Sequence, residues 1–173
     1  MEENQPKPSR YSLIFGALAG VTGIAFSLML YSMDMHYEQG FAIQAVQFSI
    51  LAVFVVIAIM QFKKANSGYL SMVQALKIGP GVAVISFIIG MLYFSVFSNV
   101  IEPDFMANSY ELGKEKALQD NPQLTTEQLD QMIGFQKKFF WVIMAVFMLM
   151  SVIFALIVAA ISGAIMKKQR PAY

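Results

Sequence analysis

The sequence has no cysteine and only one histidine, His36. The lack of cysteine excludes disulfide bonds, thiolate metal sites, a cysteine nucleophile and a lipid-modified cysteine. One histidine beside Asp34 and Glu38 does not supply the three or four converging ligands that a metal site needs. We therefore expect a solvated loop histidine, with no metal and no other cofactor.

Charged residues are also scarce, at 13% of the chain, whereas a soluble domain has about 25%. Mean hydropathy is +0.59 and the formal net charge is only +1. So small a net charge gives no overall field that would attract nucleic acid, and we expect no nucleic-acid partner. The composition indicates a protein surrounded by membrane lipids.

Long apolar runs are what the sequence has in abundance. The longest is Phe139–Met166, which contains 28 residues and no charge. A helix of that length extends about 42 Å, more than the bilayer core of about 30 Å. With the runs at about Tyr11–Met33, Phe41–Phe62 and Pro80–Ile101, it predicts an all-α bundle of four transmembrane helices. We expect residues 1–173 to form one membrane domain.

The basic residues alternate between the two ends of these spans. The N-terminal tail, the connection between spans two and three and the C-terminal tail hold eight basic and two acidic residues. The other two connections hold four basic and nine acidic residues. Because Lys and Arg favour the cytoplasmic side, both termini are predicted to lie in the cytoplasm, and the segment 102–138 outside it.

Small residues recur at helical spacing in the first and last spans. They are Gly16, Gly20 and Gly23 in span one, and Ala155, Ala159 and Gly163 in span four. Missing side chains on one helix face let another backbone approach closely. The partner of such a face is either a sister span in the same chain or a second copy of the protein.

The stretch 66–78 is too short to span the membrane and has an apolar and a polar side. It predicts an interfacial helix that ends at Gly79-Pro80-Gly81, where span three begins. Its interfacial residues would be Tyr69, Met72, Val73, Leu76 and Lys77, and we expect Trp141 to mark an interface as well.

Residues 102–138 form the longest segment outside the spans. A turn at Asp120-Asn121-Pro122 separates two predicted helices, and Thr125 with Gln128 resembles a capping box. The second helix carries Leu129, Met132, Ile133, Gln136 and Phe140 along one side. This helical hairpin, with net charge −3, is either a solvated cap or a docking surface for another protein.

Three stretches resemble a known family of four-span bacterial inner-membrane proteins, a domain of unknown function common in Bacteroidota. They are Gly68–Gly79, the exit of span three from Tyr93 to Ile101-Glu102-Pro103-Asp104, and the closing segment Ser162–Lys168. The family carries no established activity, so the resemblance implies a fold and a membrane location and no catalytic residue.

Three classes of function were compared. An enzyme is not expected, because no carboxylate, histidine or serine constellation is present. A transporter or channel component would have to be an oligomer, since four spans are too few to enclose a pore. The predicted spans contain no Asp, Glu, Lys, Arg or His and few polar groups, among them Gln44 and Gln47 near one interface. A structural or accessory subunit is favoured, with a second copy or another membrane protein as its partner.

Overall fold

All regular elements in the described part of the chain are helices. The computed structural model describes residues 6–38 and 40–169. Its helices are α1 Pro8–Ser32, α2 Phe41–Ala65, α3 Met72–Val96, α4 Phe105–Asp120, α5 Thr126–Lys138 and α6 Phe140–Met166. Helices α1, α2, α3 and α6 are long and apolar enough to cross a membrane, which confirms an all-α chain with four candidate spans.

The third span differs from its prediction. Helix α3 begins at Met72 and continues through Pro80 without interruption, and Phe97–Ile101 extends it as a π-helix. The candidate span is therefore Met72–Ile101, 30 residues long. The prediction of a separate helix ending before Pro80 was wrong, because residues 72–79 are the first turns of the span itself.

A capping box explains where α3 starts. The Gln74 backbone N–H donates to Ser71 Oγ at 3.2 Å, and the Ser71 N–H donates to Gln74 Oε1 at 2.8 Å. These two bonds satisfy donors that a helix start leaves free. Gly79 and Gly81 lie inside this helix and do not end it. Their missing side chains make room for Ala159 of α6 and Ser12 of α1.

The chain divides into two compact units, residues 1–91 with 148–173, and residues 92–147. We call the first the four-helix unit and the second the α4–α5 unit. Residues 1–5, 39 and 170–173 lie outside the described part, so the predicted tail charges Glu2, Glu3 and Arg170 do too.

The core of the four-helix unit is built mainly by α2 and α3. Val55, Ala58, Ile59 and Phe62 of α2 are fully buried, as are Ala75, Ile78 and Val82 of α3. Tyr11 of α1 meets the Phe62 ring edge-on, with centroids 5.4 Å apart. Side chains therefore fill the middle of this unit.

In the α4–α5 unit, two helices lie side by side. The Lys114 ammonium of α4 pairs with the Asp130 carboxylate of α5, and Lys137 Nζ of α5 lies 5.0 Å from the Tyr110 ring centroid. Leu129 of α5 is buried, at 4% exposure. Helix α5 ends at Lys138, and only Phe139 separates it from α6.

The N-terminus of α5 has the capping box that the sequence predicted. The Gln128 N–H donates to Thr125 Oγ1 at 3.2 Å, and the Thr125 N–H donates to Gln128 Oε1 at 3.0 Å. We expect Thr125→Ala to destabilise this helix by about 1 kcal/mol, measured as faster amide hydrogen exchange over residues 126–130. Thr125→Ser should exchange as the unmodified protein does, and equal exchange in the alanine variant would contradict the assignment.

Candidate functional site

The glycine face of α1 packs against α3. A Cβ placed on Gly16 would lie 2.6 Å from Ile85 Cβ, and one on Gly20 would lie 2.8 Å from Ile89 Cβ. Gly23 has nothing within 4 Å of that position. The structure therefore brings Gly16 and Gly20 to a helix contact within the chain and leaves Gly23 out of it.

The small residues of α6 meet the first turns of α3. Ala155 and Ala159 are fully buried, and a Cβ on Gly79 would lie 2.5 Å from Ala159 Cβ. A Cβ on Gly163 would lie 2.9 Å from Ala75 Cβ. Helix α3 is thus packed closely against α1 and also against α6. Sequence reasoning treated Gly79 only as a break and so missed its part in this contact.

The charged residues of the four-helix unit lie away from the middle of its described helices. The ionisable residues of these spans lie near helix ends: Arg10 in α1, Lys63 and Lys64 in α2, and Lys77 in α3. Gln44 and Gln47 are exposed on the outside of α2. The buried core of this unit is mostly apolar, and its buried polar residues in the described part of the chain are Ser12, Asn66 and Ser162.

The predicted interfacial residues are divided between a loop and a helix. Tyr69 lies in the loop before α3, while Met72, Val73, Leu76 and Lys77 lie in the first turns of α3. Val73 is 59% exposed and Lys77 is also exposed. Trp141 is 74% exposed, in the first turn of α6. All are placed near helix ends, where a membrane interface would lie.

The other distinctive surface is a stripe on α5. Leu124, Gln128, Gln131, Met132 and Phe135 line a shallow cavity of about 420 Å³. Gln128, Gln131, Met132 and Phe135 lie on one face of α5, at spacings of three, one and three residues. Leu124 lies in the loop just before the helix. Met132 is 53% and Phe135 60% exposed. We call these five residues the α5 stripe.

The stripe lies on a different side of α5 from the one that holds α4. Asp130 and Lys137 contact α4, and they lie on the opposite face of α5 from Phe135. Leu129 is buried, whereas Met132, which was predicted on the same side, is exposed. Tyr110 of α4 is partly enclosed, and this burial raises the pKa of its phenol above the ordinary value. The phenol is therefore neutral at physiological pH, and the Lys137 ammonium lies over the face of the Tyr110 ring.

Within the stripe, the Phe135 ring meets the Phe139 ring with centroids 4.5 Å apart, and Gln128 belongs to the capping box of α5. Both side chains nevertheless stay exposed.

Aromatic rings of the α4–α5 unit pack against one another near the start of α4. Phe105, at the start of α4, meets Phe97 of the π-helical segment with centroids 5.2 Å apart. Phe94 meets Phe140, in the first turn of α6, at 5.9 Å. Sequence reasoning missed this cluster, since its members come from three separate elements.

Comparison with protein families gives one result. Residues 14–168 match the model of a family described as a protein of unknown function, DUF4199. The chain belongs to the DUF4199 family. The DUF4199 match covers all four candidate spans apart from the first turns of α1, together with α4 and α5. No curated protein and no solved structure matches the chain.

Proposed function

We propose that this DUF4199 protein is a non-catalytic accessory subunit of a membrane assembly. The single observation that carries the proposal is the α5 stripe, an exposed apolar and amide face outside the candidate spans. Amphipathic helices commonly receive a partner helix on such a face, with apolar anchors at spacings of three and four residues. Phe135 and Met132 would be the anchors. The Gln131 amide would bond polar groups of the partner, as would the NH2 group of Gln128, whose oxygen accepts from Thr125.

The occupant that we propose is a helix of another membrane protein. The stripe extends over about eleven residues, from Leu124 to Phe135, and Phe135 is only five residues before α6. The stripe therefore lies close to a span. A partner helix that also leaves the membrane at this side could run along it. The close packing of the four-helix unit favours an accessory role over transport by the chain itself.

We further propose that the protein lies in a bacterial cytoplasmic membrane, with the basic end of the four-helix unit in the cytoplasm. Support comes from the excess of Lys and Arg at that end. The α4–α5 unit would then lie on the extracytoplasmic side. Tyr69, Met72, Lys77 and their neighbours would lie at the cytoplasmic interface, and Trp141 at the opposite one.

Site-specific photocrosslinking tests the accessory role. A photoreactive amino acid at Gln131, within the stripe, should give one stoichiometric crosslinked protein in cells. The same probe at Gln119, exposed on α4, is the positional control and should give none. Adding Phe135→Ser should abolish the crosslink from position 131, whereas Leu112→Ser, which alters an exposed residue of α4, should leave it unchanged.

Two other outcomes would contradict the proposal. A crosslink to a second copy of this chain would indicate a homo-oligomer and would place the transport hypothesis first, to be examined by solute flux in vesicles. Crosslinking only to lipid would assign the stripe to the membrane surface.

A further inference from the structure

Seven cationic side chains among the described residues lie at one end of the four-helix unit. They are Lys7, Arg10, Lys63, Lys64, Lys77, Lys167 and Lys168. Contacts show that these positions share an end. Tyr11 at the start of α1 meets Phe62 near the end of α2, and Ser12 Oγ donates to the Ile78 carbonyl in α3 at 3.2 Å. Gly163 near the end of α6 packs on Ala75 near the start of α3. We call this set the basic end.

Few carboxylates in the neighbouring sequence balance these charges, namely Glu2 and Glu3 of the N-terminal tail, which lie outside the described residues. Residues 39–101 and 131–173 contain no Asp or Glu, and neither do residues 6–33. All seven side chains are at least partly exposed. Seven like charges at the rim of one bundle repel one another, so an external anion at this rim would stabilise the unit.

The segment after α6 is held in place rather than extending from the bundle. The Leu70 N–H donates to the Lys168 carbonyl at 3.0 Å, and the Lys168 N–H donates to the Leu70 carbonyl at 3.0 Å. Leu70 itself is fully buried, and Lys168 Nζ lies 5.7 Å from the Tyr69 ring centroid. Lys167 and Lys168 are therefore fixed beside the start of α3.

We propose that the basic end binds the phosphodiester headgroups of anionic phospholipids. Its cations lie within about two turns of the ends of apolar helices, which is the depth of the headgroup layer. From there, lysine stems can lie along apolar surface while their ammonium groups reach lipid phosphates. Cations converging from several helices favour an anionic headgroup over a zwitterionic one.

Lipid retention by the purified protein tests this inference. The protein in a neutral detergent would be titrated with phosphatidylglycerol or phosphatidylcholine, and bound lipids counted by native mass spectrometry. We expect phosphatidylglycerol to be retained at least about tenfold more strongly, because each cation near an anionic surface contributes roughly fivefold. Detergent removes any influence of insertion direction on the result.

A variant with three cations removed should lose much of the preference. In Lys64→Gln/Lys77→Gln/Lys167→Gln, which keeps four of the seven cations, we expect the ratio of phosphatidylglycerol to phosphatidylcholine retention to fall by at least about tenfold relative to the unmodified protein. The matched control Lys116→Gln/Lys137→Gln/Lys138→Gln removes the same charge from α4 and α5 and should keep the preference. Lys64→Arg/Lys77→Arg/Lys167→Arg should also keep it. If the triple glutamine variant does not fold, Lys77→Gln alone should lower phosphatidylglycerol retention severalfold.

Three outcomes would overturn the inference. The first is equal retention of both lipids by the unmodified protein. The second is an equal loss in the control variant, which would show a non-specific charge effect. The third is full displacement of phosphatidylglycerol by an equal concentration of glycerol phosphate, which would identify the ligand as a free phosphate rather than a lipid.

Discussion

Gly79→Ala is expected to destabilise the four-helix unit by about 2 kcal/mol or more, because it inserts a methyl group where α3 and α6 already touch. The new Cβ would lie 2.5 Å from Ala159 Cβ and 2.7 Å from the Ala155 carbonyl oxygen. Backbone atoms cannot yield as a flexible side chain can, so the two helices must separate. Reversible unfolding of the protein in micelles would measure the loss.

Gly90→Ala provides the matched control in the same helix. A Cβ at Gly90 has no atom within 4 Å, and alanine is a better helix former than glycine by up to about 1 kcal/mol. This variant should be as stable as the unmodified protein or more so. Equal effects of the two substitutions would mean that α3 and α6 are not packed as described.

Gly16→Leu is expected to cost about 3 kcal/mol or more and to detach α1 from α3. A Cβ on Gly16 would lie 2.6 Å from Ile85 Cβ and 2.9 Å from the Val82 carbonyl oxygen, so a full leucine side chain cannot be accommodated without moving the helix. Unfolding in micelles and protease accessibility of α1 would report the change.

Gly23→Leu is the matched control in the same helix, seven residues after Gly16. Because Gly23 has no neighbour within 4 Å, the leucine should face lipid and change stability by less than about 0.5 kcal/mol. A large loss at Gly23 with none at Gly16 would reverse the assignment of the packing face. It would also favour a second copy as the partner of that face.

The number of spans could be predicted from the sequence, because long charge-free runs leave few alternatives in a membrane. The α5 capping box was also predictable, since Thr125 and Gln128 have the required types and spacing. The same signal at Ser71 and Gln74 marks the start of α3. The prediction did not use this signal and began span three at Gly79-Pro80-Gly81, because glycine favours both chain breaks and close helix contacts, and sequence alone does not distinguish the two.

The candidate site was less predictable for a similar reason. Periodicity placed Leu129 and Met132 on one side of α5, but only Leu129 is buried. When a helix is apolar on more than one side, its buried face can be predicted only if the position of the neighbouring helix is known. In α1, the three glycines share a strip, yet two crossing helices stay in contact over a limited length, and Gly23 lies beyond it.

The most direct test of the account is the side of the membrane on which each end of the bundle lies. The chain has no cysteine, so single cysteines can be introduced at Asn121, exposed after α4, and at Ala65, exposed at the end of α2. A membrane-impermeant thiol reagent should label Asn121→Cys in intact cells and Ala65→Cys only after the membrane is opened. Labelling of Ala65→Cys in intact cells, with Asn121→Cys protected until lysis, would contradict the account.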